Sequence, residues 1–397
     1  MAPIYLDHNA TTPILPEVVD AMECVRQTGW ANPSSAHGPG RQARRVLEEA
    51  RSRLARLLGA NLDSTPADRI IFTSGATEAN NLAILGIARA GRSVLDPATL
   101  TSSTRAEVLV SAGEHSSVLE PAQALFEREG FEYHTVPMTH RGVAREDLLH
   151  AFLSPRSVLA SVATVNHDTG VIQPIATLAK ICREHDVPLH TDAVQAIGRI
   201  PVDFRQLDVA ALTISGHKLG GPRGIGALLL RGETAIDPIL FGGPQENSLR
   251  PGTEPIDLIV GLVTAVEHRL GRLAADTPRM LRLQRRFESE LAAALPEVVI
   301  NGAEATRVPY VSNIAPVGCK AEKLAAELDE AGVICSVGSA CSSTSADPSP
   351  TLRAMGLDPA VLDASLRLSF SPTTSEAEVE EATRRIIEVV HRQRGAV

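Results

Sequence analysis

The chain has 397 residues, of which 44% are hydrophobic, 21% charged and 3% aromatic, and its formal net charge at pH 7 is −9. This length predicts two or three domains, or one large domain with an appendage, and the composition excludes a disordered chain. The negative charge and the scarcity of aromatic residues argue against direct binding of nucleic acid or of an anionic membrane.

The first residues, MAPIYLDHNATTP, lack the basic and apolar regions of a secretory signal, and no run of about 18 apolar residues occurs. The five cysteines include no CxxC pair, so neither a disulfide framework nor a four-cysteine zinc site is expected. We expect a soluble cytoplasmic protein with free thiols and no metal site, because the histidines also lack ligand spacing.

The predicted elements begin with a helix over about 40–58, because RQARRVLEEARSRLARLLG has helical periodicity and ends at Gly59, a typical C-terminal cap. Short apolar runs then alternate with helical segments, and we predict strands at 69–73, 108–112, 158–165, 187–191 and 209–215. Strands that are apolar on both faces and alternate with helices predict an α/β fold with a mainly parallel sheet. Ligands of such sheets bind beyond the C-terminal strand ends.

Beyond about residue 265 the pattern changes to charged, Leu-rich helices, and a short apolar run, VICSV, follows Gly332. A last helix is predicted near 375–393, with Thr373 and Glu376 as its capping pair. These features predict a smaller α+β domain.

The domain boundaries follow from this change of pattern. We expect a large domain over 15–265 and a small domain that combines 1–14 with 266–397. The polar segment 95–105, LDPATLTSSTR, is predicted to be a surface loop.

Two of the predicted strand ends carry residues that can bind an anion or a cationic ring. Ser74 to Thr77 follow the strand 69–73, and backbone N–H groups at a helix start there can bind a phosphate, although a plain N-cap explains the same residues. Asp192, with Gln195 three residues on, can pair with a protonated ring nitrogen, and a helix cap is an equal alternative.

The third strand end carries Lys218, in SGHK before the glycine-rich GGPRGIG. Burying an ammonium is costly unless its charge is paired or lost, so a lysine here is suited to form a Schiff base. The alternative is a lysine whose amine reaches solvent. A Schiff-base lysine, an acidic partner for a pyridine nitrogen and a phosphate site are together what pyridoxal phosphate (PLP) requires.

The sequence resembles a known family in several motifs: SGHK, GPRGIGALL, DAVQAIG, SGATEANNLAI and YLDHNATTP. They are similar to motifs of the class V aminotransferase group of fold-type I PLP enzymes. Within that group, GSACSS at 338–343 and SLRLSF at 365–370 resemble the cysteine desulfurases of the NifS/IscS kind. The resemblance runs from about residue 4 to about 390. It implies a large, mainly parallel sheet domain with a smaller α+β domain, PLP as cofactor and a homodimer.

The resemblance also implies roles for individual residues. Lys218 would form the Schiff base, Asp192 would pair with the pyridine nitrogen, and His115 would stack over the ring and shuttle protons. The phosphate would be held by Ala76, Thr77, Ser215 and His217, with Thr253 reaching it from the partner subunit. Gln195 and Asn166 would contact the phenolic oxygen of the cofactor, and the substrate would meet Asn9, Asn166 and Arg367.

Cys341 distinguishes the subfamily. It lies among small polar residues that cannot build a core, so we expect an exposed, mobile loop at about 336–350. Taken alone, an incidental surface cysteine explains it; the resemblance instead implies a nucleophile that accepts sulfur as a persulfide. Cys182 and Cys335 are expected to be buried packing residues.

The sequence departs from the family pattern at three places. His167 and Asp168 follow Asn166 where relatives commonly have Asn and Glu, and we expect His167 to be neutral. Asn247 and Pro251 stand where relatives commonly have Arg and Ser, which affects the expected contacts between subunits.

The expected function is that of a PLP-dependent cysteine desulfurase. It would convert L-cysteine to L-alanine and transfer sulfur through Cys341 to an acceptor or scaffold protein, for iron–sulfur cluster assembly or thio-modification. Two alternatives remain open at this point. One is another class V enzyme, an aminotransferase, selenocysteine lyase or C–S lyase, in which Cys341 is incidental. The other is a non-catalytic scaffold that has kept the fold.

Overall fold

The structure is a computed structural model that describes residues 3–95, 105–338 and 349–395. Within these ranges the strands are β1 (Ile4–Tyr5), β2 (Arg69–Thr73), β3 (Glu107–Ser111), β4 (Glu132–Val136), β5 (Ser157–Ser161), β6 (Leu189–Asp192), β7 (Ala211–Ser215), β8 (Gly226–Leu230), β9 (Val298–Ile300), β10 (Val311–Pro316), β11 (Val333–Ile334) and β12 (Leu366–Ser369). The helices are α1 (Pro16–Thr28), α2 (Gly38–Leu58), α3 (Ala76–Asn81), α4 (Ile87–Val94), α5 (Ser116–Glu129), α6 (Glu146–Phe152), α7 (Ile175–Glu184), α8 (Phe204–Leu207), α9 (Ile256–Ala294), α10 (Ala321–Glu330), α11 (Pro350–Ala354), α12 (Pro359–Ala364) and α13 (Glu376–Gly395).

The largest sheet of the described part of the chain has seven strands in the order β2-β8-β7-β6-β5-β3-β4. All neighbours are parallel except β8, which is antiparallel to both β2 and β7. The central strands β3 and β5 to β8 are buried along their whole length, which is why their sequences are apolar on both faces. The predicted mainly parallel α/β fold is therefore confirmed.

Two predicted element boundaries can be compared in detail with the structure. Helix α2 ends at Leu58, and Gly59 caps it in the left-handed region at φ 75°, as expected. A Cβ at Gly59 would also lie 2.5 Å from the Asp203 carboxylate, so there is no room for a side chain. The predicted strand 158–165 is too long, since β5 ends at Ser161. The residues after it lead into a turn in which the side-chain oxygen of Asn166 accepts from the N–H groups of Asp168 and Thr169.

The remaining strands form two small sheets. Strands β9, β10 and β12 form an antiparallel sheet in the order β12-β10-β9, and β1 pairs in parallel with β11. The run VICSV therefore does contain a strand, directly after Gly332. Pairing of β1 with β11 brings the N-terminal segment beside the C-terminal third of the chain.

Helix α9 is one continuous helix that contacts elements from both the N-terminal and the C-terminal regions of the chain. Its N-terminal half packs against α1 and α2, and it also contacts α13, β9 and β10. On α9, Phe287 meets Phe370 edge to face at 5.5 Å between ring centroids. One uninterrupted helix thus passes through the predicted boundary at 265/266, and the division into domains stays a prediction.

The cap of α13 differs from the predicted one. Ser375 Oγ accepts from Glu378 N at 3.1 Å, while Glu378 Oε2 accepts from Ser375 N at 2.7 Å. This is a reciprocal capping box. The predicted pair of Thr373 and Glu376 is wrong, because Thr373 N donates to Ser371 Oγ within the preceding turn.

Most of the predicted surface loop at 95–105 lies outside the described residues. Among the helices of the described ranges, none is both long enough and apolar enough to cross a membrane.

Candidate active site

A cavity of about 400 Å³ opens at the C-terminal ends of β6 and β7, within the usual size range of small-molecule sites. Ten of the predicted site residues line it, and they come from distant parts of the chain: Asn9, Ala76, Thr77, His115, Asp192, Gln195, Ser215, His217, Lys218 and Arg367. The position beyond the carboxyl ends of the strands is the one expected for an α/β sheet.

Lys218 follows β7 on a single 3₁₀ turn, Gly216–Lys218. Its Nζ donates to the carbonyl oxygens of Asn9, at 2.5 Å, and of Ala10, at 2.8 Å. The N-terminal segment therefore orients the amine inside the cavity.

Asp192, the last residue of β6, is 8% exposed and is held by two donors. Its Oδ1 accepts from Val194 N at 2.9 Å, and its Oδ2 accepts from Asn80 Nδ2 at 2.8 Å. Asn80 also donates to Ser117 Oγ at 2.8 Å, and that hydroxyl lies 2.8 Å from His115 Nδ1. A hydrogen-bond network thus connects the predicted ring-nitrogen partner with the predicted stacking histidine.

The tautomer of His115 follows from its position as the N-cap of α5. Ser117 N donates to His115 Nδ1 at 3.1 Å, so Nδ1 acts as an acceptor. The neutral ring therefore carries its proton on Nε2.

The predicted phosphate site lies at the start of α3. The first N–H groups of a helix have no partners within it, and Ser74, Gly75, Ala76 and Thr77 line the cavity there. Strand β8 passes very close: a Cβ on Gly226 would lie 2.7 Å from the carbonyl carbon of Gly75. Gly226 therefore has to be a glycine for this turn to form.

Two side chains beside the predicted phosphate site, His217 and Arg223, differ in their charge. Burial, assisted by Lys218 and Arg223, lowers the pKa of His217 to about 4, so its ring is neutral at neutral pH. Arg223, which lines the same cavity, is the guanidinium available there. Sequence reasoning did not assign it, although a basic residue inside GGPRGIG was a usable signal.

Arg367 lies on β12, is 2% exposed and reaches the cavity from the small sheet. Its Nη2 donates to Asp7 Oδ1 at 3.0 Å, and its Nη1 lies 3.5 Å from Asp168 Oδ1. Its Nε is buried and has no hydrogen-bond partner. Two carboxylates thus fix the side chain, and its Nε–H group remains available to bind an anionic group.

His167, one of the departures from the family pattern, also lines the cavity. Its ring meets that of His115 edge to face at 5.5 Å. Burial lowers the pKa of His167, and the nearby Asp168 offsets only part of this effect. The ring is therefore neutral near pH 7, as expected.

Three predicted site residues are not among those that line the cavity. The side chain of Asn166 makes hydrogen bonds that hold the loop after β5: its Nδ2 donates to Gly113 O and Thr351 Oγ1, and its Oδ1 accepts from Thr169 N. Thr253 is exposed and lines a different cavity, beside Trp30. Cys341 and most of the predicted loop at 336–350 lie outside the described residues.

Sequence reasoning also missed a buried acid behind the site. Glu114 is 2% exposed; its Oε1 accepts from Ala163 N at 2.5 Å, and its Oε2 has no hydrogen-bond partner. Burial and the nearby Asp192 raise the pKa of Glu114 to about 8. Ala163 lines the cavity, so Glu114 supports the cavity wall from behind. No pattern in the sequence distinguishes it from an exposed glutamate before a helix.

Glu107, Glu132 and His134 form the one group with metal-ligand spacing among the described residues. Arg156 makes ion pairs with both glutamates. The guanidinium already supplies the positive charge, so this is an ion-pair cluster at the neighbouring strands β3 and β4.

The sequence was compared with known families and proteins. Residues 4–381 match the aminotransferase class-V family. The cysteine desulfurase IscS of Dictyoglomus turgidum is 38% identical over 388 residues, covering 97% of this chain and 94% of that protein. The chain belongs to the class-V aminotransferase family, in its cysteine desulfurase branch.

Solved structures agree with this family. A NifS-like protein from Rickettsia africae has a TM-score of 0.85 and 29% identity, covering 98% of this chain and 99% of that one. A structure described as SspA in complex with cysteine has a TM-score of 0.77 and 30% identity, covering 94% and 99%. The resemblance that the motifs implied is therefore confirmed, and so is fold type I.

The cofactor of this family is PLP, and the residues present fit it. Lys218, Asp192 and the N–H groups at the start of α3 lie around one cavity. Gln195 Oε1 is buried without a hydrogen-bond partner, which leaves it available to a ligand group in that cavity.

Proposed function

We propose that this protein is a cysteine desulfurase that converts L-cysteine to L-alanine and passes the sulfur on as a persulfide. The observation that carries the proposal is the joint presence of Lys218, Asp192 and Arg367 around one cavity. These are the groups needed to hold PLP covalently, to pair with its ring nitrogen and to bind an amino-acid carboxylate. The cysteine desulfurase relatives support the same substrate.

Bound PLP supplies an electron sink for the pair released when the substrate loses its Cα proton. Lys218 would hold the cofactor through its Nζ, and the same amine would take up the Cα proton of the substrate. The carbonyl oxygens of Asn9 and Ala10 orient Nζ for this task. Asp192, held by Asn80 and Val194, keeps the ring nitrogen protonated.

His115 presents Nε2 as its second proton-transfer atom, because Nδ1 is fixed by Ser117 N. Arg367 binds the substrate carboxylate, since its planar guanidinium is anchored by Asp7 and Asp168. Asn9 stays a proposed substrate contact; its Nδ2 donates to His167 O at 2.9 Å. We keep Asn166 as a proposed site residue that acts by holding the loop beneath Arg367.

Cys341 is the proposed sulfur acceptor. Its thiolate attacks the substrate sulfur: a new S–S bond forms, the Cβ–S bond breaks, and its electron pair stays with the carbon fragment. That fragment takes up two protons, one at Cβ and one at Cα in place of the proton moved to Lys218, and leaves as alanine, while Cys341 keeps the sulfur as a persulfide for an acceptor protein.

We also propose a homodimer. Trp30 is 73% exposed and Phe241 87% exposed, and a dimer interface would remove these two large apolar side chains from water. Thr253 lies beside Trp30, outside the main cavity, and in a dimer it would complete the phosphate site of the partner subunit. Sedimentation should give a dimer mass, and Phe241→Asp should shift it towards the monomer. A monomeric wild type would contradict the proposal.

The sulfur acceptor belongs to iron–sulfur cluster assembly or thio-modification, as the resemblance to the NifS/IscS kind implies. We propose a cytoplasmic location, because the cysteines of the described part of the chain are free thiols, which suit a reducing compartment. Selenocysteine stays a possible second substrate, since selenium can leave by the same route.

The deciding experiment measures alanine and sulfide formed from L-cysteine by the PLP-loaded protein with a thiol reductant. Equal amounts of both are expected. Cys341→Ala should lose sulfur transfer and keep the cofactor, whereas Cys24→Ala, at an exposed helix position, serves as the matched control. Sulfide release by Cys341→Ala at the wild-type rate would refute the persulfide role. Conversion of the cofactor to its amine form with a keto acid would instead identify an aminotransferase.

A further inference from the structure

Lys218 lines a second, much smaller cavity of about 20 Å³, which it shares with His8, Thr12, Arg199, Arg269 and Tyr310. A cavity of this size accommodates a single small ion or one or two water molecules. It is too small for a phosphate or a carboxylate ligand. None of the roles described above uses it.

Two arginines give this cavity its charge. Arg199 is 6% exposed and Arg269 is 8% exposed. Arg199 Nη1 donates to Asn9 Oδ1 at 2.6 Å, and Arg269 Nε donates to Leu219 O at 2.8 Å. No carboxylate of the described residues forms a salt bridge with either guanidinium. Both positive charges are therefore buried against neutral partners, which is unfavourable unless a counter-charge is supplied.

The other polar groups that line the cavity supply no negative charge. Burial lowers the pKa of His8 to about 4, and the nearby positive charges of Arg199 and Arg269 contribute to the same shift. The Nδ1 atom of His8 lies 2.6 Å from Thr12 Oγ1. Burial raises the pKa of Tyr310, an effect that the neighbouring Thr277 hydroxyl and the two arginines oppose only in part, and the buried phenol hydroxyl makes no hydrogen bond of good geometry. The phenol is therefore a neutral donor, 2% exposed.

Two acids act on Arg269 from farther away: Glu17, which pairs with His268, and the more strongly acting Asp276. Asp276 is bonded to Arg272 Nη2 at 3.1 Å, so its charge is already shared with another guanidinium. Burial lowers the pKa of Arg199 to about 10, which still leaves it charged at neutral pH. The cavity thus combines two buried cations with an unused O–H donor.

We propose that this cavity binds one small monovalent inorganic anion of halide size, held by Arg199, Arg269 and the Tyr310 hydroxyl. A water molecule would satisfy the donors but would leave the charge uncompensated. The anion also acts on the active site: it fixes Arg199, Arg199 holds the side chain of Asn9, and the Asn9 carbonyl orients Lys218 Nζ.

The first test compares thermal unfolding of the PLP-loaded protein in bromide, chloride and gluconate at equal ionic strength. Gluconate is too large for the cavity, so the melting temperature should rise by about 1–3 °C in the halides relative to gluconate. Salts also act on the whole protein surface. The informative quantity is therefore the part of this shift that Arg269→Gln removes.

Arg285→Gln is the matched control, because Arg285 lies at an exposed position of the same helix. It should keep the halide-dependent shift. Persistence of the full shift in Arg269→Gln, or its absence from the wild type, overturns the proposal. Since Arg269→Gln can fail to fold, the second test uses crystals of the wild type grown with bromide. An anomalous peak between Arg199 and Arg269 supports the site, and a cavity without one overturns it.

Discussion

Two walls of the main cavity are held in different ways. The sheet wall, with Lys218 and Asp192, stands on the ends of neighbouring buried strands; Asp192 is held by Val194 and by Asn80 of α3, and Lys218 Nζ is held by backbone carbonyls of the N-terminal segment. The arginine wall, with Arg367, is held by Asp7 and Asp168, which lie 360 and 199 positions away in sequence.

This difference separates the cofactor chemistry from the choice of substrate. The sheet wall is rigid because its strands are buried on both faces, so it keeps the reacting groups in place. The arginine wall depends on ion pairs between segments that are distant in sequence. The proposed sulfur acceptor, Cys341, lies in the same C-terminal part of the sequence as Arg367. Changes in the sheet wall should therefore alter the absorption of the cofactor, while changes in the arginine wall should act mainly on substrate affinity and leave that absorption unchanged.

Lys218→Ala is expected to have the largest effect. It removes both the covalent attachment and the proton-transfer amine, so alanine formation should fall by at least about 10³-fold and the absorption of the lysine-bound cofactor should disappear. Lys180→Ala, at an exposed position of α7, is the control and should change neither quantity. Retention of the cofactor band in Lys218→Ala would place the attachment elsewhere.

Arg367→Lys should act on the other wall. Loss of the planar, two-pronged guanidinium should raise KM for L-cysteine about 10- to 100-fold, with a smaller effect on kcat. The cofactor absorption should stay that of the wild type. Arg353→Lys, at an exposed position of α11, provides the comparison. A cofactor spectrum disturbed by Arg367→Lys as strongly as by Asp192→Asn would contradict the separation of the two walls.

Glu114→Gln should change the pH dependence of stability. The folded pKa of about 8 lies above the ordinary value of 4.5, so the stability that the protonated form contributes is complete below about 4.5 and is lost as the pH rises towards 8. The wild type should lose about 1.4 kcal/mol per pH unit in this interval through Glu114. Glutamine keeps the bond to Ala163 N and does not titrate.

The measurement for Glu114→Gln is denaturant unfolding between pH 5 and 8. The variant should gain stability relative to the wild type as the pH rises. Glu120→Gln, at an exposed position of α5, the helix that follows Glu114, should run parallel to the wild type. Parallel curves for Glu114→Gln as well would mean that Glu114 ionises normally in the folded protein.

The sequence predicts the sheet wall well, because each of its groups follows an apolar strand directly. Lys218 and Asp192 both line the cavity for this reason. The sequence predicts the residues around Lys218 and Asp192 less well, since their positions depend on tertiary contacts. The two buried arginines, Arg199 and Arg269, and the inward-facing Asn166 carry no local signal, because burial of a charged or amide side chain is decided by partners from other segments.

Long elements show the same limit. The change to charged residues near 265 predicts a domain boundary, which stays a prediction, and it falls inside α9, a helix that packs on α1 and α2 and also contacts α13, β9 and β10. The helix itself continues through this point. A composition change therefore reports a change of neighbours and does not have to report a change of element.

Ser375→Ala should have the smallest effect and tests a support of the arginine wall. Helix α13 carries Arg385, whose Nη1 donates to Ala331 O at 2.8 Å, just before β11. Loss of the Ser375 cap should lower the free energy of unfolding by about 1 kcal/mol. Thr373→Ala, the cap that the sequence pattern favoured, should cost less, because Thr373 bonds only within the preceding turn. Since β11 pairs with β1 next to Asp7, Ser375→Ala should also raise KM slightly without changing the cofactor spectrum. An equal loss of stability in Ser375→Ala and Thr373→Ala would contradict the assignment of Ser375 as the N-cap of α13.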